Sequence, residues 1–300
     1  MPTKSILPYV ILTIGIMSVS TAAVLVKLAP EVPSSILAQY RLLLAFLIML
    51  PYILYKKRNE ILKILPVDWA LTCLSGVSLA LHYIVWFESL QYTSVASSVV
   101  IVTLQPIFAF IGTYLFFRER FSSATVISML IAIFGSIIIA WGDFQIADEA
   151  LYGDFLALLS ALFITIYFLL GQQVRRKMSV MSYTCIAYGV GGLTIILYNV
   201  VRGFDFIGYS SENWLIFLAL AMIPTIFGLN LLHFALRWFS TSVISMAIVF
   251  EPVGASILAY IILQEMVTWS QWLGGTIIIF GLLLFIASTR RKRKMQLSHH

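Results

Sequence analysis

Long apolar runs separated by short polar clusters set the pattern of this chain. Ten runs are long enough to cross a bilayer: about 7–28, 34–55, 68–87, 96–117, 122–141, 152–170, 180–201, 212–230, 240–263 and 269–288. A hydrocarbon core takes about 20 apolar residues as a helix. The runs lack the alternation of barrel strands, and backbone groups in lipid need partners within their own segment, so each run is predicted to be a helix. The connections are short and leave no room for an inserted soluble domain.

Basic residues give these helices a direction. With the N-terminus inside, sixteen of the nineteen Lys and Arg residues fall in inside segments, including Lys56–Arg58, Arg175–Lys177 and the tail Arg290–Lys294. The outside segments hold Arg202, Lys27 at a helix end, and most of the acids. The remaining basic residue, Arg41, lies within the second run. The positive-inside rule then predicts both termini in the cytoplasm of a multi-pass inner- or plasma-membrane protein. The first run continues from Ile6 to about Leu28, too long for a signal core, and reads as the first spanning helix.

Composition excludes a soluble globule. The 300 residues are 61% hydrophobic and 11% charged, with a mean hydropathy of +0.98, whereas soluble domains carry about 25% charged residues. The net charge of +6 is confined to juxtamembrane clusters and reports topology rather than nucleic-acid binding. Cys73 and Cys185 both lie in apolar runs and suggest neither a zinc site nor a disulfide framework.

The chain is also written twice. A shift of 146 positions lays 93–120 on 239–266, so that Pro106 meets Pro252, Tyr114 meets Tyr260 and Glu119 meets Glu265; further on, Phe134 and Gly135 meet Phe280 and Gly281. Apolar helices match by chance at Leu, Ile and Val, but not across two spans at Pro, Tyr, Glu and Gly. Each half has an odd number of spans, five, so the halves must be inverted. Inverted repeats mark secondary transporters, whose sites lie near the midplane at the repeat interface, beside broken helices. Pro106 and Pro252 each lack an N–H and crowd the carbonyls of Val102 and Ile248, which predicts two weakened helices at one depth: hinges, or static kinks.

Polar residues inside the spans are the candidate chemistry. Glu251 sits mid-span beside Pro252, and its counterpart is Gln105; a carboxylate here could bind an amine-bearing substrate, take up a proton, or hydrogen-bond a freed carbonyl. Arg41 could meet a substrate carboxylate or Glu251, or snorkel. His82 and Trp86, four apart on one face and flanking Tyr83, suit a cavity wall or plain packing. Asn230, Tyr167 and, more weakly, Ser18 and Thr21 are further candidates; small polar residues also serve as helix contacts. Lys27 reads as interfacial. Enzyme signatures such as HExxH, GxSxG or a Walker loop do not occur, and no cofactor is implied.

Two five-helix halves, each with a Pro-centred helix ending in Glu, resemble the EamA-type branch of the drug/metabolite transporter superfamily. The resemblance is carried by SLQYTSVASSVVIVTLQPIFAFIGTYLFFRE, by STSVISMAIVFEPVGASILAYIILQE and by the arginine stretch QYRLLLAF. It implies a carrier, often an exporter of amino acids or other small metabolites, whose halves enclose a cavity that opens alternately to each side. The expectation is an all-α membrane protein with repeats at 7–141 and 152–288 and a basic tail at 289–300. Its partners would be a small-molecule substrate, a coupling proton or counter-solute, and the lipid bilayer. A passive channel or facilitator is the alternative.

Overall fold

The computed structural model describes residues 6–89, 92, 98, 101–141, 150–264 and 269–298. All regular structure among them is helical: α1 (Leu7–Lys27), α2 (Ser34–Lys56), α3 (Arg58–Ile61), α4 (Pro66–Ser89), α5 (Gln105–Phe117), α6 (Ser123–Trp141), α7 (Ala150–Val174), α8 (Val180–Arg202), α9 (Ser211–Leu220), a π-helical segment (Ala221–Leu229), α10 (Asn230–Ala235), α11 (Thr241–Ile248), α12 (Glu251–Leu263) and α13 (Trp269–Ser298). Seven helical stretches among the described residues are long and apolar enough to cross a membrane, and three shorter apolar helices lie in α5, α6 and α13. Together these are the ten membrane helices of an all-α protein.

The two halves agree in register. Ser34–Lys56 and Val180–Arg202, and likewise Gln105–Phe117 and Glu251–Leu263, begin and end 146 positions apart. The prolines explain the second pair. Pro106 and Pro252 each sit in the first turn of a new helix, where a missing N–H leaves no bond unmade. Each of these helices stops at a non-glycine left-handed residue, Arg118 (φ 56°) and Gln264 (φ 57°). The continuous helix expected over 240–263 is therefore two helices, parted at Val249 and Phe250. The beginning of span 4 and Glu265 lie outside the described residues.

Polar contacts define the two ends of the bundle. At one, Ser240 donates to Glu119 (2.9 Å), Lys177 pairs with Asp68 (3.0 Å), the Ser179 N–H donates to Glu60 (2.6 Å), and Thr125 meets Ser288 (3.1 Å). The basic loops and the end of the last span meet here, and we call it the basic end. At the opposite end Tyr40 donates to the Phe206 carbonyl and Tyr198 to Glu88 (3.2 Å).

α6 and α13 pack against each other along a seam of small residues. A Cβ on Gly135 would lie 2.7 Å from the Gly274 carbonyl oxygen, and one on Gly281 would lie 3.0 Å from the Ser128 carbonyl oxygen. Positions 128 and 274, like 135 and 281, are equivalent under the same shift, so the seam is symmetric.

Candidate functional site

A cavity of about 320 Å³ lies between the halves, bordered by α1, α2, α4 and α12. Its wall runs from Gln105 and Glu251 at the helix breaks to Lys27, the last residue of α1. Lys27 bounds it toward the end of the bundle away from the basic loops, and Phe168 and Leu232 bound it on the side of the basic end. Glu251, Arg41, His82, Tyr83, Trp86, Gln105 and Pro252 all line it, as the sequence led us to look for.

Each side chain is placed by a local cause. Glu251 opens α12 at the break, which turns its carboxylate into the space instead of into a helix face. That carboxylate makes no hydrogen bond among the described residues. Arg41 is almost fully buried (5% exposed). Its Nε donates to the Thr225 hydroxyl (2.7 Å), and its guanidinium lies 4.8 Å from the centre of the Tyr83 ring. His82 reaches from α4 to α7, with Nδ1 2.8 Å from the Ser160 hydroxyl oxygen. Its ring stacks with Trp86 at 6.0 Å and 12°. The Trp86 indole N–H is buried without a partner among the described residues. Gln105 donates from Nε2 to the Ser245 hydroxyl (3.0 Å), tying α5 to α11.

Three predicted residues lie elsewhere. Asn230 is directed into packing, where it accepts from the Tyr188 hydroxyl (2.8 Å). Tyr167 is fully buried on the basic side, packed edge-on against His233 at 4.6 Å. Pro106 is buried in the first turn of α5, off the wall. Their helices carry them to the interface between helices rather than to the space. Conversely, Lys27, Thr103 and Phe168 line the cavity without having been singled out for it.

Thr225 was missed too, and its signal was Pro224. That proline lies in the π-helical segment and cannot donate to the Leu220 carbonyl four residues back. The Thr225 hydroxyl donates there instead (2.8 Å), and its oxygen is then available to accept from Arg41. Among the described residues no group of three or more His, Cys, Asp and Glu could hold a metal ion.

A bundle of ten apolar helices, in two inverted halves around a largely apolar cavity with a few polar groups, defines a multi-pass membrane transporter. The chain belongs to the EamA-like transporter family, whose model matches it twice, over residues 6–141 and 151–287. Among its relatives, the uncharacterized transporter YdfC of Bacillus subtilis (strain 168) is 23% identical over 266 residues, covering 88% of this chain and 85% of that protein. The uncharacterized transporter sll1164 of Synechocystis is 26% identical over 251 residues, covering 80% of this chain and 72% of its own. A solved crystal structure shares the fold with a TM-score of 0.80 at 17% identity, covering 94% of this chain and 98% of that one.

Proposed function

We propose that the chain is a secondary active transporter that exports a small amine-bearing metabolite, an amino acid or related compound, by alternating access. The observation that carries this reading is Glu251: an intramembrane carboxylate at a helix break, without a hydrogen-bond partner among the described residues, on the wall of a cavity. An ionisable group in that setting marks a substrate or ion path. Glu251 binds the substrate amine or the coupling proton. His82, Tyr83, Trp86 and Gln105 shape the path around it. Pro106 and Pro252 let spans 4 and 9 bend as the halves, 7–141 and 152–288, rock about the site. The gathering of basic loops at one end supports a cell-membrane protein with both termini and the 289–300 tail in the cytoplasm. Without a nucleotide-binding motif, a gradient of protons or of counter-solute supplies the drive.

The test uses purified protein in liposomes, offered a pool of amino acids and small metabolites with and without an outward proton gradient (acid inside), the direction in which a proton-coupled exporter accumulates its substrate. A solute concentrated only with the gradient, and not by Glu251→Gln, is the expected result. Equilibration indifferent to gradient and mutation would make the protein a facilitator and Glu251 a structural residue.

A further inference from the structure

The Arg41 side chain is held by its inner nitrogen and its flat face, while its outer nitrogens are left open. Nε is taken by Thr225 (2.7 Å), and the guanidinium face lies over Tyr83 (4.8 Å). The two terminal amino groups have no hydrogen-bond partner among the described residues, although the side chain is 5% exposed and lines the cavity. A buried guanidinium with unfilled donors is costly unless something fills them. The two outer nitrogens form a planar fork that matches a carboxylate in bidentate fashion.

The fork is aimed by an unusual backbone. Pro224 frees the Leu220 carbonyl, the chain widens to a π-helix over Ala221–Leu229, and Thr225 closes the gap with its hydroxyl (2.8 Å). The same oxygen accepts from Arg41. The Thr225 carbonyl in turn receives the Tyr188 hydroxyl (3.4 Å). Such π-bulges inside α-helices are frequent at functional sites. The arrangement exists in one half only: the places equivalent to Arg41 and Thr225 are Ala187 and Leu79.

We infer that the π-helical segment and Thr225 position Arg41 as the receptor for a substrate carboxylate, in the same cavity as Glu251. This rests on the transport reading and narrows its substrate class to zwitterions that carry a carboxylate as well as an amine. Thr225 is a positioning residue: it touches Arg41, and Arg41 touches the substrate. Because Glu251 and Arg41 line the cavity at different points and favour opposite ends of a zwitterion, the substrate binds in one orientation.

The test compares uptake of L-leucine, L-threonine and L-phenylalanine with that of their carboxamides, which keep the amine and lose the carboxylate. Wild-type protein in liposomes should favour each acid over its amide by about tenfold or more, the worth of one charge-assisted pair. Thr225→Val should bring that ratio close to one, chiefly through KM. Thr225→Ser, which restores the hydroxyl, should return it. Thr225→Ala replaces the valine variant if the latter does not purify as a monodisperse protein. Acids and amides handled alike by wild type, or a ratio unchanged in Thr225→Val, would overturn the inference and leave the transporter standing. Failure to move any of the three acids, while the mixed pool yields another solute, would overturn it as well. Failure to move anything in the pool would remove the transport reading itself.

Discussion

Ala22 and Ala23 on α1 and Phe168 and Leu169 on α7 hold equivalent places in the two halves, yet the two alanines both leave room at the cavity wall, whereas Phe168 walls the cavity with a full ring and Leu169 is buried off it. On the basic side the ring of Tyr167 packs edge-on against His233 (4.6 Å), and Phe168 stacks on the same imidazole (4.9 Å). Tyr183 adds a third ring at 5.0 Å. The imidazole lies so close to α7 that a Cβ on Gly171 would meet its Cε1 at 2.4 Å. The helix breaks repeat the contrast. Ala255 and Ala259 line the cavity, while their counterparts Ala109 and Thr113 are wholly buried. There the Thr113 hydroxyl bonds Ser242 and donates to the Ala109 carbonyl (2.8 Å). The two halves share a backbone register, so at these places they differ in side-chain volume and in a few hydroxyl ties.

The contrast can be broken most completely by making α1 resemble α7. The double variant Ala22→Phe, Ala23→Leu should fill the room at this wall and abolish uptake in liposomes while the protein still purifies intact; uptake within twofold of wild type would show that the substrate does not pass this wall. Next in size is Gly171→Ala, whose methyl collides with His233. Overpacking of this kind costs about 1–3 kcal/mol. A lower Tm should accompany faster thiol labelling of a cysteine placed at Ala109, with Cys73 and Cys185 replaced beforehand. An unchanged Tm would mean that the aromatic knot yields freely.

A smaller effect is expected of Thr113→Ala, which gives the basic side the residue found at its counterpart, Ala259. Hydroxyl ties between membrane helices are worth about 0.6 kcal/mol on average, so labelling at Ala109→Cys should rise about threefold and that at Ala255→Cys should fall. The smallest concerns Glu60, outside the membrane. Burial alone would push its carboxyl up, but the Ser179 backbone N–H, the Ser179 and Ser182 hydroxyls and Lys57 together hold it below the usual carboxylate range. A folded value below the unfolded one gives stability that is present above the unfolded value and lost as pH falls through the folded one. Closure of the basic end should thus persist down to about pH 5 and loosen only in stronger acid. Labelling of Ala109→Cys against pH would read this, and Glu60→Gln should flatten the curve.

Much of this fold was legible in the sequence because its causes are local. Apolar run length sets a membrane helix, and the prolines at 106 and 252, matched at one spacing with Gly135 and Gly281, declare the repeat. Glu251, Arg41, His82, Tyr83 and Trp86 could be picked out because polar groups and aromatic faces in apolar runs need a reason. Tyr167 and Asn230 met the same criterion but turned to helix contacts, since which face of a helix meets the space depends on its neighbours. Thr225 escaped because a threonine in a span is ordinary; only the proline before it, and an arginine 184 positions away in the chain, give it work. Lys27 reads from the sequence as interfacial, and that it also lines a cavity depends on which helices flank α1.

The glycine seam between α6 and α13 has a further consequence. Position 135 meets 274 as position 281 meets 128, which is the contact two copies of one subunit make about a twofold axis. Each half therefore carries both faces of the seam. A gene encoding one half alone, inserted in both orientations, would already hold the surface needed to pair with its upside-down twin, and fusion of two such genes would make that partnership permanent.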